Sequence, residues 1–302
     1  MTCTKNMNDK KSLCMLAWSM VIYGTIGIFR RYIPLSSGIL ACARGFIGAL
    51  FLLGLLAVRK RPFDRASVGN RWGPLLVSGA LIGFNWIFLF EAYRCTTVAT
   101  ATLCYYMQPV IVVLVSPLLF REHLPPRKII CVAVALLGMV FVSGVTEGGL
   151  PSGGEAKGIL YGLAAAALYA SVVLLNKTIQ GVGTYEKTIL QLAAAAVVLV
   201  PYLAVTEDFS ALSLTPFAVI MVLVVGIVHT GLAYALYFGS MEGLKAQTIA
   251  LFSYIDPVTA ILLSALLLHE PMTPLGILGA ALVLGSTIVS EVWTPKAERK
   301  QE

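Results

Sequence analysis

Of the four aspartates in the chain, Asp9, Asp64 and Asp208 lie in polar segments, and Asp256 alone falls inside a long apolar stretch. A carboxylate held at the middle of a bilayer costs about 2.5 to 3.5 kcal/mol on insertion scales, so Asp256 is expected to face a cavity or a partner. Two chemistries fit it there: pairing with a ligand ammonium, or taking up and releasing a proton. The structural alternative is a hydrogen bond to the next helix. Ser253 stands one helical step away on the same face and shares whichever role holds. Asp256 belongs to the segment Tyr254-Ile255-Asp256-Pro257, and Tyr106-Met107-Gln108-Pro109 has the same form. Inside a helix, Pro109 and Pro257 each remove a hydrogen bond and clash with the carbonyl four residues earlier, loosening the carbonyls of Tyr105 and Ser253. Such carbonyls can bind a ligand or absorb a hinge motion, or be satisfied by neighbouring helices as a packed kink. Two prolines at matching depth, each preceded by a polar residue, favour hinges beside a site.

Other positions also carry chemistry. Arg44 sits about 12 Å into its apolar stretch by the helical rise. It can attract an anionic group, or clamp loosened carbonyls or Glu91. His229 is the one histidine clearly within an apolar stretch; a hydrogen-bonded interior residue and a proton relay are its two readings. Trp86, Tyr93, Tyr105, Tyr106, Tyr234, Tyr237 and Tyr254 offer flat faces with polar tips, suited to amphipathic ligands as well as to core packing. Asn85 is a polar residue in the same region. Glu122 and Glu270 each precede a proline, Pro126 or Pro274, by four residues. A carboxylate there favours the positive end of the following helix, and capping is the expected role.

The elements that must position these residues follow from hydropathy. The chain has 302 residues, 58% hydrophobic and 12% charged, about half the charge of a soluble domain. Apolar stretches long enough to cross a bilayer run Ser12–Phe29, Ser36–Val58, Trp72–Tyr93, Thr97–Phe120, Arg127–Gly144, Glu155–Asn176, Tyr185–Val205, Pro216–Gly239, Lys245–Leu268 and Pro274–Trp293. The expected fold is therefore all-α and integral to a membrane, with ten transmembrane helices. A net charge of +7 would suit nucleic acid if it were clustered. With the N-terminus placed in the cytoplasm, 17 of the 22 Lys and Arg instead fall on the cytoplasmic side. That asymmetry predicts both termini in the cytoplasm of a multi-pass plasma-membrane protein and excludes a nucleic-acid partner. The first apolar run is 18 residues long with no A-x-A-like cleavage site, so it reads as a retained span. Six cysteines without paired spacing indicate neither a disulfide framework nor a metal site, and no cofactor is expected.

Residues 83–126 reappear 148 positions later as residues 231–274, with 13 of 44 positions identical and no gap. Tyr106 aligns with Tyr254, Pro109 with Pro257, Glu122 with Glu270 and Trp86 with Tyr234. More faintly, Tyr23 aligns with Tyr169. Two copies of one unit are expected: a first five-helix repeat at 1–144, a linker at 145–154, a second repeat at 155–293 and a cytoplasmic tail at 294–302. Because five is odd, the second copy enters the bilayer from the opposite side, giving inverted repeats, an architecture of transporters with sites near the midplane. Where the copies differ, as at Gln108 against Asp256, Tyr105 against Ser253 and Asn85 against Ala233, specificity is expected.

GTIGIFRRY at Gly24–Tyr32, ACARGF at Ala41–Phe46, and the QPV and DPV segments each followed by a Glu complete a pattern. Over almost its whole length the chain resembles the EamA branch of the drug/metabolite transporter superfamily. The resemblance implies a basket-like bundle that exposes a central cavity alternately to each side and moves a small metabolite, often outward. Members handle amino acids, related metabolites and drugs. Phosphorylated substrates are disfavoured here, because the third to fifth and eighth to tenth stretches hold no Lys or Arg in their interiors. The expectation is a secondary transporter, an exporter, of an amino acid or related amphipathic compound, with a small-molecule substrate and membrane lipids as partners. The competing classes are an integral-membrane enzyme and a sensor. Against the enzyme stands the absence of any H-E-x-x-H, G-x-S-x-G or Cys/His cluster.

Overall fold

The structure, a computed structural model, describes residues 2–120, 126–142, 153–209, 214–241, 244 and 246–292. Every described element is helical: α1 (Thr2–Tyr32), α2 (Ser37–Val58), α3 (Arg65–Val68), α4 (Trp72–Cys95), α5 (Val98–Tyr105), α6 (Gln108–Phe120), α7 (Pro126–Val142), α8 (Gly153–Thr178), α9 (Thr184–Thr206), α10 (Pro216–Gly226), a π-helical turn (Ile227–Leu232), α11 (Ala233–Met241), α12 (Ala246–Ser253), α13 (Ile255–Leu267) and α14 (Pro274–Val292). Backbone groups cannot be left unsatisfied in hydrocarbon, and helices of these lengths satisfy them internally. Among the described residues seven helices are long and apolar enough to cross a membrane; Ile255–Leu267 and Pro274–Ser290 are apolar but shorter. Glu122, most of the linker and the tail at 294–302 lie outside the described residues, and α8 begins at Gly153, two residues before the expected start of the second repeat.

The helix breaks fall where the prolines require them. The fourth apolar stretch divides at Tyr106–Met107 into α5 and α6, and the ninth divides at Tyr254 into α12 and α13. The backbone tightens at the first break, where Met107 N donates to the carbonyl of Cys104 at 3.1 Å. The π-helical turn is a third irregularity, and no proline marks it.

The two halves interleave. Helix α4 packs on α8 and α9, α2 on α9 and the π-helical turn, and α1 on α11 and α13, while α7 pairs with α14. Small residues permit these approaches. A Cβ on Gly79 would lie 2.6 Å from the carbonyl oxygen of Gln191 and 2.5 Å from Ala194 Cβ, so α4 and α9 touch backbone to backbone there. A Cβ on Gly24 would lie 2.6 Å from the carbonyl oxygen of Asp256, which seats α1 directly against the second helix break. Such contacts replace the hydrophobic effect, which gives no drive between helices in lipid.

The cap expected of Glu270 is corrected. Instead of serving α14, its carboxylate accepts from the backbone N–H of Val98 (2.8 Å) at the start of α5, from Ser264 Oγ (2.5 Å) and from Arg31 (2.6 Å). Arg31 also donates to the carbonyl of Thr96 at 2.7 Å. His269, at φ 53, turns the chain so that Glu270 can fold back. One carboxylate thus ties the end of α1, the α4–α5 turn and the end of α13.

Overpacking at the α4–α9 crossing costs about 1–3 kcal/mol. Gly79→Val is therefore expected to lower the thermal midpoint of the detergent-solubilised protein, whereas Gly54→Val, which meets nothing within 4 Å, leaves it in place. Equal midpoints for the two variants would show that the crossing is not close-packed.

Candidate functional site

Helices α1, α2, α4, α5, α8 and α11 enclose a central chamber with about 160 Å³ of room for the centres of water-sized molecules. Asp256, beside the second helix break, closes part of its wall. Tyrosines dominate that wall, at positions 23, 93, 105, 106, 169, 234 and 237, joined by Trp86 and Thr102 and by the aliphatic Ile26 and Leu89. Arg44 and Asp256 are the ionisable residues other than tyrosine that line it.

Arg44 is 4% exposed and is held on two sides. Its guanidinium carbon lies 4.0 Å from the centroid of the Trp86 ring and 5.5 Å from that of Phe90. A desolvated guanidinium over an indole face gains about 2 kcal/mol from the ring quadrupole. Nε donates to Thr230 Oγ1 at 3.1 Å, and Thr230 in turn donates to the carbonyl of Val225 at 3.1 Å within the π-helical region. Glu91, proposed from the sequence as an Arg44 partner, pairs instead with Arg94 at 3.0 Å. Among the described residues no carboxylate lies within ion-pair distance of Arg44.

The carboxylate side is built from both helix breaks. Tyr106 Oη donates to Asp256 Oδ2 at 2.8 Å and lies 3.3 Å from the carbonyl oxygen of Ser253. That carbonyl is the one Pro257 strips of its helical donor, and a hydroxyl from the first half stands within reach of it. Tyr105 and Tyr106 meet edge to face at 6.1 Å, and Tyr105 meets Tyr169 at 5.8 Å. On the opposite wall Tyr23 and Tyr234 meet at 5.8 Å. The buried hydroxyl of Tyr23 has no hydrogen-bond partner among the described residues. A polar atom so placed needs a ligand or water as its partner.

The structure brings Asp256, Tyr105, Tyr106, Arg44, Trp86 and Tyr234 together on the chamber, and it sets the other residues singled out from the sequence behind it. Asn85 is buried and donates to the carbonyl of Ala165 at 2.6 Å, pinning α4 to α8. His229 lies in the π-helical turn, with Nε2 2.9 Å from Thr25 Oγ1 and its ring 4.6 Å from that of Phe29. Ser253 turns its hydroxyl onto the carbonyl of Ile249, 2.9 Å away in its own helix. Tyr254 packs 6.3 Å behind Tyr106. Gln108, Pro109 and Pro257 are absent from the chamber lining; the prolines act through the breaks they impose. Tyr93 and Tyr237, named in the aromatic set, also line the chamber, and Tyr23, Thr102 and Tyr169 line it without having been selected. For Tyr23 and Tyr169 the signal was present, since they match across the repeat.

The sequence profile of the EamA-like transporter family matches residues 10–144 and 156–291. Among curated relatives, an uncharacterized transporter, YxxF, of Bacillus subtilis (strain 168) is 31% identical over 81% of this chain and 78% of its own. An uncharacterized transporter of Vibrio cholerae is 28% identical over 89% of this chain and 88% of its own. Among solved structures, a crystal structure with 20% sequence identity superposes with a TM-score of 0.65 over 96% of this chain and 99% of its own, which shows a shared fold.

Removing the Asn85 amide leaves a buried carbonyl without its donor, at a cost of about 1–3 kcal/mol. Asn85→Ala is expected to lower the thermal midpoint, while Tyr23→Phe, which deletes a hydroxyl with no partner among the described residues, leaves it unchanged. A loss in Tyr23→Phe equal to that in Asn85→Ala would mean that the Tyr23 hydroxyl serves the fold.

Proposed function

The chain belongs to the EamA-like transporter family, and from that premise we propose that it is a secondary transporter moving an amino acid or a related amphipathic metabolite outward through the plasma membrane. One observation carries this reading: a tyrosine-walled chamber holding one guanidinium and one carboxylate, Arg44 and Asp256. A zwitterion presents complementary charges to that pair, its carboxylate to Arg44 and its ammonium to Asp256. An apolar or aromatic body suits the ring faces between them. Arg44 suits the anionic end because no protein carboxylate pairs with it among the described residues, while Trp86 and Thr230 hold it in position. A phosphorylated substrate would call for more than the single guanidinium the chamber offers.

Ten spans in two inverted repeats, bounded as expected from the sequence and with both termini in the cytoplasm, supply the alternating access this function needs. The hinges are the two proline breaks. Tyr106 and Asp256 join them, so that occupancy or protonation of Asp256 alters the link between the halves. A proton on Asp256 releases the Tyr106 hydroxyl from its obligation to the carboxylate and frees it for the Ser253 carbonyl.

The test is flux into liposomes containing only the purified protein, screened over amino acids and related metabolites with and without a proton gradient. A charge-assisted hydrogen bond contributes about 1.5–3 kcal/mol. Asp256→Asn is accordingly expected to lower flux at least about tenfold or to abolish its response to the gradient. Flux and gradient response equal to those of the unaltered protein would eliminate both roles assigned to Asp256. Arg44→Gln is expected to raise the half-saturating concentration of a carboxylate-bearing substrate and to leave that of its decarboxylated amine little changed. Equal effects on the two compounds would show that Arg44 does not hold the carboxylate.

A further inference from the structure

A second cavity lies near the basic residues Arg59, Arg61 and Arg65, with about 390 Å³ of room for water-sized molecules. It is lined by Arg61, Gly183, Thr184, Tyr185, Phe238 and Met241. Arg61 stands with its guanidinium 5.6 Å above the Tyr185 ring and 3.9 Å from the buried Glu186 carboxylate. Arg59 donates to the Tyr185 hydroxyl at 3.4 Å. The mouth of this vestibule therefore presents a half-exposed guanidinium beside an aromatic and thioether floor.

Phe238 lines the vestibule and stands against two residues of the chamber wall. One side of its ring meets Tyr185 at 5.6 Å in the vestibule. Its other contacts are with chamber-lining residues: a stack on Tyr234 at 5.6 Å with 17° between planes, and Tyr237 at 5.6 Å.

The repeat marks the same position independently. Phe238 is identical to its counterpart Phe90, 148 residues earlier, in a segment where most positions differ. Four residues before each stand Trp86 and Tyr234, both on the chamber wall. Phe90 and Phe238 thus lie one helical turn after Trp86 and Tyr234 on α4 and α11. With inverted halves those turns point to opposite faces of the membrane. The two phenylalanines, both buried, differ in their surroundings. Phe90 is fully buried, with Arg30 6.0 Å and Arg44 5.5 Å from its ring. Phe238 follows the π-helical turn (Ile227–Leu232). Such a turn carries one residue beyond α-helical winding, and releasing it rotates the helix that follows by about 100°.

Building on the transport reading above, we infer that Phe238 is the gate between the chamber and a vestibule on the basic face. The vestibule receives an amphipathic substrate by its anionic end at Arg61 and its apolar body against Phe238 and Met241. Rotation of α11 about the π-helical turn withdraws the Phe238 ring and admits the substrate to the chamber.

The full chain in nanodiscs tests this without knowledge of the substrate. Ile26→Cys places a thiol on the chamber wall and Met241→Cys one in the vestibule. Their reaction with sulfonatoethyl methanethiosulfonate, an anion, and with its trimethylammonium analogue is followed at each introduced cysteine by peptide mass spectrometry. Adding Phe238→Ala is expected to speed labelling at position 26 by about tenfold or more, and Phe238→Trp, which keeps the position filled if the alanine variant does not fold, to slow it. Rates independent of residue 238 overturn the gate. At position 241 the anionic reagent is expected to react faster than the cationic one, and Arg61→Gln to abolish the preference. A ratio unmoved by that change overturns the vestibule's selectivity. Gating without flux for any compound in the liposome screen would overturn the transport reading alone, while flux with no gating effect would overturn this inference alone.

Discussion

The hydrogen bond from Tyr106 to Asp256 is the constraint around which the molecule is organised. Two prolines break two membrane helices, and hydrocarbon offers no water to the carbonyls they strip. At the second break the missing partner comes from the first half of the chain, as the Tyr106 hydroxyl reaches both the carboxylate of Asp256 and the carbonyl of Ser253. The Tyr106–Asp256 bond forms only when the halves lie against each other in this register. Gly24 enforces the same register from a third side, because any larger residue would collide with the Asp256 carbonyl.

From that junction the remaining polar groups sort by whether they line the chamber. Asn85 spends its amide nitrogen on the Ala165 carbonyl, the Ser253 hydroxyl returns to its own helix, and His229 Nε2 meets Thr25; none of the three lines the chamber, and each then belongs to the scaffold. Arg44 is oriented by an indole face and a threonine hydroxyl, neither of which neutralises it. The Tyr23 hydroxyl is left without a partner among the described residues. A chamber whose charged and polar groups are positioned but incompletely answered is what a site for a transient polar ligand requires. At the far end, Glu270 does the opposite: it gathers Arg31, Ser264 and the Val98 amide into one closed cluster joining three segments.

Much of the fold was legible because the bilayer leaves few options. Apolar length gave the helices, and the proline pair located both breaks to within a few residues. Polar residues were harder to sort. Asp256 and Arg44 could be singled out because a charge deep in an apolar stretch is expensive wherever it points. Asn85, Ser253 and His229 drew the same attention, but their partners come from distant helices or from a backbone carbonyl whose availability depends on side-chain rotamer. Glu270 showed the same limit: its spacing to Pro274 pointed to α14, and the turn at His269 sent it to α5 instead. Tyr23 and Tyr169 were visible as a matched pair across the repeat, yet a match alone does not say which face of a helix looks inward. The π-helical turn had no signal of its own, since a single extra residue in a helix leaves composition and hydropathy unchanged.

By itself, then, the sequence determined that the chain is a duplicated, all-helical membrane protein with a carboxylate and a guanidinium at depth, because burial energies and repeat identity are properties of local composition. Only the tertiary structure decided which tyrosines share a chamber, that Tyr106 binds across to Asp256, and that Phe238 stands between two cavities. Those facts depend on helix rotation and register, which are set by close contacts such as Gly79 with Gln191 and Gly24 with Asp256. Such contacts join residues more than a hundred positions apart, and no local pattern encodes them.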